Sequence, residues 1–313
     1  MANQPPISSA MVEVSGITPP PEISAESLGR ASGRGRLIGK RILVVGGGQS
    51  ENSFDPKPPV GNGRAICVLA AREGATVVVT DRSAAAAQAT VDLIDKEGIG
   101  RGIVVVGDAS TPEGCAQIVR DTLSASNGVL DGLVIVVGVV GDAAKVANTA
   151  EARAQYWDRV MNLNLRAHYL IMQEAVPHIE KQPAGGSVVS ISSISQYLPA
   201  SNEPAYNSSK AGLSVLVKNA AWQFAPRVRV NTVVPGLIDT PMGRQAGTQV
   251  KGRNASAVPL SRQGSGWDIA YAVVWLLSGE SSFVSAQDIV VDGGRVGVGS
   301  KGAKVPNGAV EVS

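Results

Sequence analysis

The feature that most constrains the fold is a series of short apolar runs, each stopped by glycine, aspartate or Pro-Gly. Arg41-Ile42-Leu43-Val44-Val45 stops at Gly46-Gly47-Gly48, and Thr76 to Thr80 stops at Asp81-Arg82. Ile103 to Val106 stops at Gly107-Asp108, Leu133 to Val137 at Gly138, and Arg227 to Val233 shortly before Pro235-Gly236. Ser187 to Ser192 and Asp288 to Val291 complete the set. Runs this short, with no polar alternation, read as strands buried on both faces. The stretches between them carry helical patterns: Arg64 to Glu73, Ala84 to Lys96, Pro112 to Leu123, Glu151 to Ile179, Tyr206 to about Phe224, and Trp267 to Leu277. Strand and helix in alternation predict an α/β chain with a doubly wound parallel sheet of about seven strands and helices on both faces. With no internal repeat and no linker between 37 and 294, that range reads as one domain.

The flanks differ. Residues 1–36 hold Pro5, Pro6, Pro19, Pro20 and Pro21 among Ser, Gly and Glu, and read as an extended or mobile segment, or one lying along a partner subunit. Residues 295–313 form a tail without clear period. The chain is 44% hydrophobic with a formal net charge of +2, and its charges are scattered rather than clustered. No basic patch points to nucleic acid or a membrane surface. No apolar run reaches the ~20 residues of a membrane span, and no apolar core follows a basic start, so a cytoplasmic protein is expected. Cys67 and Cys115 read as small buried residues, with no disulfide required. His168 and His178 lack Cys or carboxylate at ligand spacing, so no metal is expected.

Glycines between a first strand and first helix let the backbone approach a pyrophosphate, and the helix N-terminus offers N–H groups and partial positive charge. Gly46, Gly61, Asn62 and Gly63 occupy that turn. Asp81, ending the second strand, stands where a ribose 2′-hydroxyl would lie. It would repel a 2′-phosphate, which favours NAD(H); Arg82, Arg64 or Lys57 could instead pair with that phosphate, which keeps NADP(H) possible.

The chemistry is expected at Tyr206-Asn207-Ser208-Ser209-Lys210. Positions i and i+4 share one helix face, so Tyr206 and Lys210 project side by side. A neighbouring ammonium favours the phenolate, and is expected to lower the Tyr206 pKa into the range of a general acid or base. Ser193, at the end of the run from Ser187, can donate to the same substrate oxygen. Tyr-x-x-x-Lys alone is as readily a surface tyrosine beside a helix-supporting lysine; its surroundings decide.

Those surroundings resemble the short-chain dehydrogenase/reductase family over residues 37–294. The first-turn glycines resemble its Thr-Gly-x-x-x-Gly-x-Gly signature, and Gly107-Asp108-Ala109 its adenine-holding segment. Asn164 matches its helix asparagine, and Ser193 precedes Tyr206 by the usual thirteen residues. Pro235-Gly236-Leu237-Ile238-Asp239-Thr240 resembles the loop that holds the nicotinamide amide, and Asp292-Gly293-Gly294 the closing motif. The resemblance implies a single-domain Rossmann fold and a homodimer or homotetramer. It implies a catalytic set in which Tyr206 moves the proton, Lys210 holds the nicotinamide ribose and tunes Tyr206, Ser193 orients the substrate oxygen, and Asn164 holds a water linking the lysine to solvent. Asp108, Ala109, Gly138, Gly236, Ile238 and Thr240 would complete the cofactor contacts.

The chain departs from the family pattern in two places. Fourteen residues, 47–60, separate Gly46 from Gly61 where the family usually has three, and the enlarged loop is expected to bulge into solvent rather than fold over the adenosine. The fourth-strand motif Asn-Asn-Ala-Gly reads Ile135-Val136-Val137-Gly138, so the asparagines that tie this strand to its neighbours are gone and apolar packing is expected to replace them. Tyr197 and Met242 are candidate pocket walls. The expected activity is hydride transfer between a nicotinamide cofactor and a small-molecule secondary alcohol or ketone. The alternatives are reduction of C=C or C=N, epimerisation through a transient ketone, or a redox-silent nucleotide-binding protein.

Overall fold

The computed structural model describes residues 22–49, 57–140, 149–199, 203–245 and 257–298. Its centre is a parallel sheet of seven strands: β1 (Arg41–Val45), β2 (Thr76–Asp81), β3 (Arg101–Val106), β4 (Gly132–Ile135), β5 (Gly186–Ile191), β6 (Val228–Pro235) and, last in the chain, Asp288–Val291. Two short strands, β7 (Ile238–Asp239) and β8 (Gly264–Ser265), pair separately, so Asp288–Val291 is β9. The order across the sheet is β3-β2-β1-β4-β5-β6-β9.

Helices α1 (Asn62–Arg72), α2 (Ala84–Glu97) and α8 (Gly266–Leu277) cover one face. Helices α3 (Pro112–Ala125), α5 (Ala167–Ile179) and α6 (Pro204–Gln223) cover the other. Strand alternation decides which side chain serves which layer. Ile42 and Val44 pack under α1 and α8, whereas Leu43 and Val45 pack on the α5 side. Both faces are therefore apolar, which is why the strands read as unbroken runs.

Local chemistry sets the helix ends. Ser83 accepts from Ala86 N–H at 3.2 Å to start α2, and Gly98, at φ 68°, ends it in the left-handed conformation that glycine adopts freely. Thr111 caps α3 with Pro112 at its first position, and Ser265 and Asp268 form a reciprocal capping box on α8.

Of the N-terminal segment, residues 22–36 fold back onto the domain, while 1–21 lie outside the described residues. Ser27 Oγ donates to Asp268 at 2.5 Å, and Arg72 donates to the carbonyls of Gly29 and Ala31 at 3.0 and 3.1 Å. The buried Glu73 carboxylate accepts from the backbone N–H groups of Arg34 and Arg36. The strap thus ties the start of α8 to the end of α1. At the other end, Arg295–Val298 forms the short helix α9 (α4 and α7 are placed below), and 299–313 lie outside the described residues.

Candidate active site

The carboxyl ends of the strands place the site. β1 pairs with β2 on one side and β4 on the other, so strand order reverses between β1 and β4, the point beyond whose strand ends a doubly wound sheet takes its ligands. Gly46, Asp81, Gly138, Ser193 and Gly236 all follow or end strands on this edge.

At the first turn Gly46 has φ 88°, and its N–H donates to Thr80 O at 2.8 Å. A Cβ on Gly63 would lie 1.9 Å from Gly46 O, so the start of α1 presses against this turn as only glycine allows. Gly61 is the α1 N-cap and supplies no side-chain hydrogen bond to the first turn. Its own N–H donates to Gln49 Oε1 at 2.7 Å, which closes the neck of the enlarged loop. Residues 50–56, and with them the expectation that the loop bulges, lie outside the described residues. Asn62 Oδ1 is buried at the helix start without a partner among the described residues. A bare helix N-terminus, a close glycine turn and an unpartnered polar atom fit a phosphate-bearing nucleotide.

Asp81 ends β2 and accepts from Ser83 N–H at 3.0 Å; a Cβ on Gly48 would lie 2.6 Å from its other oxygen. Arg82 beside it is exposed. Arg64 is turned to Thr90, donating to its Oγ1 at 3.1 Å. Asp108 is exposed and accepts from Ser110 N–H at 2.9 Å, an ordinary Asx turn, while Ala109 is buried behind it.

Lys210 is buried, and its ammonium lies 5.8 Å from the centroid of the half-buried Tyr206 ring. The two share a face as the spacing requires, but the expected effect on Tyr206 is reversed. Its pKa is raised: burial raises it most, a hydrogen bond with Ser193 lowers it, and the Glu203 charge raises it again. Lys210 Nζ is directed instead at Ile191 O, to which it donates at 2.9 Å, and burial lowers its own pKa to about 8. Ser193 follows β5 in extended conformation, and its Oγ donates to Ser195 Oγ at 3.1 Å. Ser193 is thus the group that opposes burial at the Tyr206 phenol. Tyr156, on α4 (Ala150–Met161), donates to Glu203 Oε2 at 2.6 Å and fixes that carboxylate at the start of α6.

The long helix from residue 150 to 179 widens to a π-turn at Asn162–Arg166, between α4 and α5. π-Turns interrupt the regular ladder, often at functional sites. This one carries Asn164, fully buried, whose Oδ1 accepts from Val139 N–H at 2.7 Å and whose Nδ2 donates to Val139 O at 3.0 Å and Ser209 Oγ at 3.2 Å. A Cβ on Gly138 would lie 3.3 Å from Asn164 Oδ1 and 3.5 Å from Lys210 Nζ, so the bare glycine lets the strand end approach both.

Sequence reasoning missed His168. It is fully buried, with Nε2 3.1 Å from Val137 O and Nδ1 3.2 Å from Ser190 Oγ. The tie that apolar packing was expected to supply between the fourth strand and its neighbour is therefore polar. The only sequence signal was that His168 follows Asn164 by one helical turn.

Gly236 N–H donates to Val291 O at 2.9 Å, and a Cβ there would lie 2.6 Å from Asp292 Cα. Ile238 and Thr240 are buried, and Thr240 Oγ1 accepts from Gly243 N–H at 3.1 Å, capping α7 (Pro241–Gln245). Tyr197 is 43% exposed and donates to Asp288 at 3.1 Å. Met242 is exposed as well. A surface groove of about 410 Å³ lies apart from all these residues, lined by Met161, Leu165, Tyr169, Gly212, Val215 and their neighbours on α4 to α6. Among the described residues there is no cluster of His, Cys, Asp and Glu that could hold a metal, and no helix long and apolar enough to cross a membrane.

Comparison with known proteins gives a consistent answer. A family model described as "Enoyl-(Acyl carrier protein) reductase" matches residues 60–295. The 3-oxoacyl-[acyl-carrier-protein] reductase FabG of Thermotoga maritima is 32% identical over 265 residues, covering 83% of this chain and 99% of that protein. Cyclopentanol dehydrogenase of Comamonas testosteroni is 32% identical, covering 83% of this chain and 98% of that protein. Among solved structures, 7α-hydroxysteroid dehydrogenase in complex with NADH and 7-oxo glycochenodeoxycholic acid superposes with a TM-score of 0.73 at 30% identity, covering 87% of this chain and 97% of that one. The sheet order, the glycine turn and these likenesses agree: the chain is an oxidoreductase that belongs to the short-chain dehydrogenase/reductase family.

Proposed function

We propose that this protein interconverts a secondary alcohol and a ketone with a nicotinamide cofactor, NAD(H) in preference to NADP(H). The observation that carries this reading is the buried Lys210 ammonium 5.8 Å from the centroid of the Tyr206 ring, with Ser193 following β5 at the carboxyl edge of the sheet. When bound, the cofactor supplies the hydride donor or acceptor. The residues fitted to hold it are Gly46, Gly61, Asn62 and Gly63 at the phosphates, Asp81 at the adenosine ribose, Asp108 and Ala109 at the adenine, and Gly138, Gly236, Ile238 and Thr240 towards the nicotinamide.

The work of the chain's own groups follows from their environment. A phenol whose pKa is raised is protonated at neutral pH and stands ready to donate to a carbonyl oxygen. Ser193 lies against the same phenol and can fix the oxygen that receives the proton. In the oxidative direction Tyr206 must accept that proton, and a Lys210 ammonium 5.8 Å from its ring centroid favours the resulting phenolate electrostatically. With its pKa drawn down to about 8, Lys210 can pass a proton onward near neutral pH, and Asn164 borders the route. Asp81 disfavours a second phosphate and supports NAD(H).

A second reading, reduction of an activated C=C bond, draws on the name of the matched family model. The test of both is a panel of ketones, secondary alcohols and enoyl compounds with NADH, NADPH, NAD and NADP, followed by absorbance of the reduced nicotinamide. Turnover of ketones or alcohols with labelled hydride at the carbinol carbon supports the first reading; label at a former C=C carbon supports the second. We further read the protein as a homodimer or homotetramer, in keeping with the exposed Val215 and Trp222 on α6, and sedimentation in solution tests this.

A further inference from the structure

We propose that His168 is a positioning residue, which holds the backbone of residues 137–139 in place against Lys210 and so fixes the surface offered to the nicotinamide half of the cofactor. The inference rests on the function proposed above. It concerns a residue outside the catalytic set, at the point where this chain lacks its family's fourth-strand asparagines.

A carbonyl oxygen only accepts, so the 3.1 Å contact to Val137 O requires a proton on His168 Nε2. A neutral ring then leaves Nδ1 as acceptor, and the Ser190 hydroxyl must donate to it at 3.2 Å. Ser190 sits on β5, the strand beside β4. The imidazole thus spans from one strand to the carbonyl just beyond the end of the next. Burial draws the ring pKa down to about 3, and the nearby Lys210 charge adds to this, so the ring stays in this tautomer at neutral pH.

His168 follows Asn164 by four residues, so both face the strand end from one helix. His168 takes the carbonyl of Val137, and Asn164 takes the N–H and carbonyl of Val139. Between them Gly138 passes close to Lys210. Three polar groups of a short stretch beyond β4 are thereby held by side chains on one helical run, without a ladder partner of their own. In the family pattern asparagines within the strand make such ties; here the histidine makes one from the helix.

The test uses the full chain and compares His168→Gln with His168→Met. Glutamine can present an amide N–H where the ring presents Nε2–H, whereas methionine fills similar space with no donor. Affinities for NADH and NADPH are read from tryptophan-to-nicotinamide energy transfer, alongside kcat, KM and amide exchange of residues 136–139 in the cofactor-free protein. The methionine variant is expected to bind reduced cofactor about tenfold more weakly and to exchange faster at Val139, and glutamine to restore both. Wild-type affinity in the methionine variant, or equal loss in both variants, overturns the proposal, since either outcome leaves only packing. If the methionine variant fails to fold, Ser190→Ala decides: it removes the hydroxyl that fixes the tautomer and is expected to weaken binding about threefold, and unchanged affinity overturns the proposal. If the wild-type protein binds neither cofactor, the functional reading itself has failed, and amide exchange alone judges whether His168 holds the strand.

Discussion

Asn164 holds Val139 by both of its backbone groups, at 2.7 Å to the N–H and 3.0 Å to the carbonyl. The side-chain amide stands in for a neighbouring strand where the sheet has run out. Because Asn164 sits on a π-turn, the helix is widened where its side chain must reach. Asn164→Ala leaves two backbone groups of Val139 without these partners. It is expected to destabilise the fold by about 1–3 kcal/mol and to lower turnover, checked by urea unfolding and steady-state kinetics.

Asp81 ends β2 beside Gly48, with one oxygen engaged by Ser83 N–H. Asp81→Ala removes the charge that disfavours a 2′-phosphate and leaves the exposed Arg82 next to the vacated position. The ratio of kcat/KM with NADPH to that with NADH should rise by about tenfold or more, corresponding to at least ~1.4 kcal/mol. An unchanged ratio would place the 2′-hydroxyl elsewhere.

Much of the fold was legible because it depends on local pattern. All seven strands of the main sheet coincide with apolar runs, and α2, α3 and α8 begin within a residue of the helical stretches expected from Ala84, Pro112 and Trp267. Features that depend on what topology brings together were not legible. The π-turn at Asn162–Arg166 lies inside a stretch that reads as continuous helix. β7 and β8 have two residues each, too few to leave a period. His168 shows nothing distinctive on its helix, since Val137 and Ser190 reach it only through sheet packing. The i+4 spacing gave the proximity of Tyr206 and Lys210 correctly. It could not give the direction of Nζ, which is set by Ile191 O, nor the burial that raises the phenol pKa.

Lys210 links the site to stability. Its folded pKa of about 8 lies below the ordinary 10.5, so between these values the unfolded chain binds more protons and stability rises with pH. Wild type should gain on Lys210→Met by up to about 1.4 kcal/mol per pH unit from pH ~8 to ~10. Denaturant midpoints measured for both proteins over that range check this, and parallel curves would contradict it.

His168 acts at the acid end. Its folded pKa of about 3 lies below the ordinary 6.5, so the unfolded chain binds more protons between them and stability falls as pH drops through that window. His168→Gln should remove up to about 1.4 kcal/mol per pH unit of this fall, visible as a shallower loss of thermal midpoint between pH ~6 and ~4.

The central claim is that the Tyr206 hydroxyl moves the proton while other groups hold the cofactor. Tyr206→Phe deletes that oxygen and leaves the ring beside Lys210. The most direct measurement pairs single-turnover reduction of a ketone by this variant with its affinity for reduced cofactor. The account predicts a rate lower by about 10²–10⁴ with affinity within about twofold of wild type. Turnover at the wild-type rate would contradict it.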